Sequence, residues 1–534
     1  MLQFWLVAEG SANGSGRGQS AYRLVRATGE RFMALMREYP ITEQSIGPVR
    51  ELEGTPSWIY ELDNPYLHGV YAPTVNELHE ESLVVTGALP RDLSGAYFRN
   101  GPNPMHQPKN RYHPFDGDGM VHAVYFSDGA ASYRNRYVQT AALTQELSVG
   151  KSMSPGVMGP FDYDISRFGI KDTSNTDLFW YAGDLMSLWY NAGDPYRLDS
   201  LSLETKAHYD LAGRAQRRMS AHSKVDWATG ELLFFDYGDE APFMTYGVAD
   251  PSGRLVHEVA IDLPGPRLPH DLGFTTHYAV LHDLPFFHDM EVLRKHKYRV
   301  LTFHKDIPTR FGIIPRRGQS RDVRWFECEP CYILHTTNCW EEGDWVVMDG
   351  CRSINPMPSG QSGDGELASM LAYMRLEANA YRWQFNLVTG EVREGAIDDL
   401  NTEFNKSNPI FHGVKSQYSY HQRIPLLHEG GHTLRFTGLV KYNNDTGQST
   451  QWDYGEGVFG SEAVFAPKPG ADRRSAEDDG YVVTLVTDSK DAMSHCLVFD
   501  ATDIAQGPIA SVAMPHRVPV GFHATWAAGE DLYG

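Results

Sequence analysis

From about residue 80 onward this chain is punctuated as a succession of short strands, and that rhythm narrows the folds open to it. Apolar or alternating stretches recur, among them LVVTG, MVHAVYF, ELLFFDY, RLVHEVAI, WVVMDG, TLRFTGLVKY and YVVTLVTD. Many are joined by turns that contain Asn or Asp and end in an αL-ready glycine: SDG at 127–129, DWATGE at 226–231, DPSGR at 250–254, NLVTGE at 386–391 and NNDTGQ at 443–448. This is the chemistry of tight β-turns. The units differ in sequence and spacing, which suits divergent propeller blades with insertions better than a regular solenoid. Helical patterning is sparse, with candidates at Leu367–Ala380 and Met290–His296. The expected fold is an all-β propeller with helical and loop insertions capping one face. A pair of β-sandwiches is the structural alternative.

At 534 residues the chain exceeds the usual size of one domain. Repeated blades are the exception, because each adds core without deepening it. We expect residues 1–45 to be a flexible N-terminal extension, Gly/Ser-rich over 10–20 and amphipathic around Tyr22–Tyr39, and 46–534 to be a single propeller domain. A formal charge of −21 and a pI near 5.5 argue against nucleic acid and against a bulk attraction to anionic lipid. No stretch approaches the roughly twenty apolar residues of a membrane span. The opening MLQFWLVAEG lacks the basic leader of a signal peptide. The five cysteines form no disulfide framework, so the expected compartment is the reducing cytoplasm. Cys328 and Cys331 form a CxxC without a second tight pair, and we read them as buried small hydrophobes over a zinc site.

Four of the 22 histidines stand apart by context. They are His222 in MSAHSKVD, His270 in LPHDLGF, His335 in ILHTTNCW and His523 in VPVGFHATW. Imidazole nitrogen is the commonest protein ligand for a transition metal, and ligands so far apart in sequence meet most naturally on the axis of a closed architecture. A single histidine beside a strand is more often a satisfied polar residue, and His113, His122, His277, His282 and His288 take that reading. FDGDGM at 115–120 lacks the further oxygen ligands of a calcium loop and reads as a structural turn.

Long blocks in order give the chain a resemblance to the carotenoid cleavage oxygenase family, which includes apocarotenoid and stilbene cleavers and the retinoid isomerase. They include LSGAYFRNGPNP (93–104), FDGDGMVHAVYF (115–126), GIIPRRG (312–318), VRWFECEPCYILHTTNCWEEGD (323–344), FGSEAVFAPKPG (459–470) and MPHRVPVGFHATW (514–526). The resemblance implies a seven-bladed propeller with a helical dome. It implies one Fe(II) per chain held by His222, His270, His335 and His523, with no catalytic side chain beyond these ligands. It also implies glutamates that orient the ligands, matched by Glu403 and Glu462. A third glutamate is not matched: where relatives resemble LALWEGG this chain has MSLWYNAGD, placing Tyr190 and Asn191 there, either of which offers an oxygen to His270. The centre is then expected to be one negative charge short.

The implied reaction is cleavage of a conjugated C=C bond of a carotenoid or apocarotenoid by O2 into two carbonyl products. Cleavage of a stilbene or phenylpropenoid is the alternative, although no clear tyrosine–lysine pair for activating a phenol is seen beyond Lys151. The implied partners are O2 and an apolar polyene, reached through a peripheral membrane contact at the mouth of a tunnel. Met153, Met158, Phe161, Phe286, Phe287, Phe311 and Ile314 are candidate tunnel residues. No obligate protein partner is expected. A calcium-dependent propeller hydrolase and a metal-free binding scaffold are the other classes to weigh.

Overall fold

Seven antiparallel sheets of four, five or six strands follow one another along the chain and surround a central channel. The computed structural model describes residues 5–7, 23–25, 54–166, 169–191, 193–209, 218–357, 374–426 and 433–533. Five sheets are built from consecutive stretches of chain, spanning residues 177–208, 224–261, 273–328, 332–396 and 402–453. The other two draw strands from both ends of the chain. Val85–Gly87 pairs with Ala510–Ala513, and Ala524–Ala528 pairs with Gly95–Pro102. This pairing closes the ring, where an open one would leave two inner-to-outer faces uncovered. The expected seven-bladed propeller is the observed fold.

Each blade is covered on both faces by its neighbours, which explains why the inner strands read as apolar runs instead of alternating ones. In Leu232–Tyr237, Leu233 and Phe235 pack with Ile261 of their own sheet and Leu281 of the following blade. Leu232 and Phe234 of the same strand pack with Phe179 and Leu188 on the opposite side. Burial of each such side chain contributes about 1.5–3 kcal/mol. The outer strand Gln448–Asp453 is polar and exposed, as suits a sheet edge facing water. The glycine-closed turns form as expected. Gly230 (φ +69°) and Gly390 (φ +80°) take the left-handed conformation and donate to Asp226 O and Asn386 O, at 2.7 and 3.0 Å.

Loops and two short helices cap one face. Met290–His296 is helical as expected, with the Asp289 carboxylate accepting from the Glu291 and Val292 amides at 3.0 Å each. A second helix, Ala141–Val149, was not anticipated. It buries only Leu143 and Glu146, too little for an apolar periodicity, although Thr140 and Gly150 cap its two ends. Of the helix expected at Leu367–Ala380, residues 367–373 lie outside those described; Met374 is helical, 375–378 are irregular, and Asn379 and Ala380 begin a strand instead. The extension expected over 1–45 lies outside the described residues except at 5–7 and 23–25. Among the described residues no helix is long and apolar enough to cross a membrane.

The FDGDG segment is a structural turn. Asp116 accepts from the amides of Val157 and His113, at 2.7 and 3.0 Å. Asp118 and Glu146 share the Lys171 amine, each at 2.8 Å, so a lysine neutralises these carboxylates where a calcium loop would use an ion.

Candidate metal centre

Each of the seven strands that line the channel presents one polar side chain at or near its start, and these converge. In chain order they are Asp177, His222, His270, His335, Glu403, Glu462 and His523. Several sit where the regular ladder breaks, which re-aims a side chain toward the axis. The pairing register shifts between Ile333 and Thr336 around His335, and between Glu403 and Lys406. His222 and Phe404 hold left-handed backbone conformations, φ +60° and +53°. Such positions cost about 1–3 kcal/mol for non-glycine residues and cluster at functional sites.

The structure brings together all four histidines singled out in the sequence. Their candidate ligand atoms lie within 4.8 Å of one another. Among the described residues they form the one group of three or more His, Cys, Asp or Glu side chains placed to share an ion. Nε2 of His222 and Nε2 of His270 are 3.1 Å apart, the spacing expected of neighbouring ligands each about 2.1 Å from one ion. Nε2 of His335 is buried without a hydrogen-bond partner, as a nitrogen reserved for a metal would be. Phe404 stacks on His523 at 4.7 Å between ring centroids and fixes its plane.

Three carboxylates hold the opposite ring nitrogens. Glu403 Oε2 lies 2.5 Å from His335 Nδ1, Glu462 Oε1 lies 3.0 Å from His523 Nδ1, and Asp177 Oδ2 lies 2.8 Å from His222 Nδ1. Glu403 and Glu462 thus lie behind His335 and His523. Burial, followed by the neighbouring imidazoles, lowers the pKa of His222 and His270 well below the usual value, and burial with His335 does so for His523. These rings are neutral and carry lone pairs. At His335 burial opposes the charge, but the contact with Glu403 outweighs it and raises the pKa, holding a proton on the Nδ1 side.

Tyr190 and Asn191 do not serve His270. Arg299 engages both, with Nη1 3.3 Å from the Tyr190 hydroxyl and Nη2 2.8 Å from Asn191 Oδ1. Among the described residues neither side chain is hydrogen-bonded to His270. The expected charge deficit is absent too, because Asp177 supplies a third carboxylate, on His222. Asp177 was missed in the sequence, where TSNTDLFW marks it only as a polar residue opening a strand.

The centre separates two unlike spaces. On the dome side an apolar cavity reaches His270 and Glu403 and is walled chiefly by Phe115, Tyr237, Leu268, Phe286, Leu334 and Leu376. On the other side the axial channel is polar, with Lys224 paired to Asp271 at 2.8 Å and Lys406 to Glu462 at 3.2 Å. Of the expected tunnel residues, Phe286 lines the cavity, whereas Phe311 and Ile314 pack between blades and Phe161 packs with Ile170 and Trp189. His113 and His288, read from sequence as plain structural histidines, reach the cavity wall. His122 bonds Tyr133 and His277 bonds Glu341, at 2.7 and 2.9 Å, as the structural reading expects. All five cysteines are free and buried.

Comparison with known proteins agrees with this geometry. Residues 71–528 match the family described as retinal pigment epithelial membrane protein. The chain is 33% identical over 505 residues to carotenoid 9,10(9',10')-cleavage dioxygenase 1 of Phaseolus vulgaris, covering 88% of this chain and 91% of that one. It is 30% identical over 478 residues to isoeugenol monooxygenase of Pseudomonas nitroreducens, covering 87% and 98%. Among solved structures, the lignostilbene dioxygenase of Pseudomonas brassicacearum superposes with a TM-score of 0.77 at 27% identity, over 88% of this chain and 99% of that one.

Proposed function

This chain belongs to the retinal pigment epithelial membrane protein family, the carotenoid cleavage oxygenases, and from that premise we propose that His222, His270, His335 and His523 hold one Fe(II). The proposed reaction is the O2-dependent cleavage of a conjugated double bond in a carotenoid or apocarotenoid, giving two carbonyl products. The observation that carries it is four buried imidazoles converging at the end of an apolar cavity. Bound there, iron supplies the redox-active centre at which dioxygen oxidises an alkene, with no organic cofactor required.

The chain's own residues prepare that centre. Glu403 and Glu462 hold the Nδ1 protons of His335 and His523, so each ring turns its Nε2 lone pair inward. Neutral imidazoles leave the positive charge of the ion uncancelled by its direct ligands. The cavity wall excludes water and confines a long apolar substrate beside His270. An apolar polyene has to come from a membrane. Leu147, Val149, Tyr298 and Ile354, all exposed on or beside the cap, support a peripheral contact there.

Stilbene or phenylpropenoid cleavage is the second reading. It is favoured by the likeness to the lignostilbene dioxygenase and by the Tyr190, Tyr237 and Tyr332 side chains on the cavity wall. Lys151 is exposed and no lysine lines the described cavity, which weighs against activation of a phenol by a tyrosine–lysine pair. Incubating the iron-loaded protein separately with an apocarotenal and a hydroxystilbene distinguishes the two. The proposal expects two carbonyl fragments from the apocarotenal, and cleavage of the stilbene alone would overturn it.

A further inference from the structure

The order of the seven channel side chains carries information that their identities alone do not. Going round the ring, each carboxylate serves a histidine on an adjacent strand: Asp177 with His222, Glu403 with His335, and Glu462 with His523. His270 is the exception, because both of its neighbours on the ring are histidines. It is also the one of the four ligands that lines the apolar cavity. The three ligands that have a carboxylate partner line the polar channel, as do Asp177 and Glu462, whereas Glu403 lines the apolar cavity with His270.

Within this pattern Asp177 is fixed as firmly as the two glutamates. Its side chain is 7% exposed and that of His222 3%. One carboxylate oxygen accepts from the Leu178 amide at 2.8 Å, and the other is left for His222 Nδ1. His222 needs such a partner. Its backbone lies in the left-handed region just ahead of the short strand Lys224–Val225, so regular strand geometry does not set its direction. A carboxylate on Nδ1 selects the tautomer whose Nε2 carries a lone pair, fixes the ring plane and makes the nitrogen a stronger donor.

We infer that Asp177 is a positioning residue of the metal centre, clamping His222 and providing the third negative charge on the channel side rather than behind His270. The inference rests on the iron reading above and adds a residue to it. Its test is the affinity of the metal-free full-length protein for Fe(II), by anaerobic competition with a chromophoric chelator, for wild type, Asp177→Asn and Asp177→Ala. Melting of each metal-free protein is measured alongside. The expected result is Fe(II) binding weakened about 10- to 100-fold in both variants, with metal-free melting little changed. Should the alanine variant fail to fold, the isosteric asparagine variant carries the comparison. Affinity of Asp177→Asn within twofold of wild type would overturn the inference. So would an equal loss of melting temperature with and without metal, which marks a purely structural carboxylate. Failure of the wild type itself to bind Fe(II) would instead defeat the proposed function.

Discussion

His222 and His270 direct their Nε2 atoms at one another across 3.1 Å, although both rings are held neutral. Asp177 holds the His222 proton on Nδ1, so without metal the contact requires His270 to donate from Nε2, whereas a cation between the rings takes up both lone pairs. The metal-free protein is therefore expected to melt lower than the iron-loaded one. With free Fe(II) at a hundred times its dissociation constant the gain is about 2.7 kcal/mol. Calorimetry before and after chelation checks this, and His335→Ala is expected to abolish the response to metal.

The carboxylates behind the ligands act through the imidazoles. Glu403→Gln and Glu462→Gln are each expected to weaken iron binding about 10- to 100-fold. The larger effect falls on Glu403, whose 2.5 Å contact with His335 is the shorter. Metal content after dialysis against a graded chelator series reads the difference.

Leu334 adjoins His335 in sequence and faces the apolar cavity. Leu334→Trp is expected to fill the space beside the centre without touching a ligand. Iron content stays at the wild-type level while kcat/KM on a polyene falls at least about tenfold, equivalent to roughly 1.4 kcal/mol of lost transition-state binding.

Lys171 neutralises two buried carboxylates, Asp118 and Glu146. Lys171→Met removes the cation and leaves both acids buried without it. The expected loss of stability is about 3–5 kcal/mol, measurable by denaturant unfolding. Addition of calcium is not expected to restore it.

Acid lability has an identifiable source. Burial lowers His113 and His421 to about 3 and His282 and His516 to about 4, whereas the unfolded chain protonates near 6.5. The unfolded state then binds more protons than the folded one over that interval. The contribution of these residues is complete above pH 6.5 and is lost progressively as pH falls toward the folded values. Melting of the metal-free protein should drop steadily from pH 6.5 to 4.5, and His421→Gln should flatten that slope.

Much of this was legible in the sequence, for reasons that differ between residues. Turns such as DWATGE and NLVTGE announce themselves because a local rule, a glycine at positive φ, produces them. The apolar runs follow from blades covered on two faces. Local context singled out the four histidines, but only the long motif blocks gave them, and Glu403 and Glu462, a role. Asp177 could not be found that way. Its meaning lies in a contact with a histidine 45 positions further on, made only when two strands meet at the axis. The same limit led Tyr190 to be placed behind His270, when Arg299, over a hundred residues away, holds its hydroxyl.

The central claim is a four-histidine ferrous centre, and an anaerobic titration of the metal-free protein with Fe(II) tests it most directly. The account predicts saturation at one equivalent per chain in the wild type and none in His335→Ala, a variant that otherwise folds. A wild type that takes up no iron, or a His335→Ala protein that binds it as tightly, would contradict it.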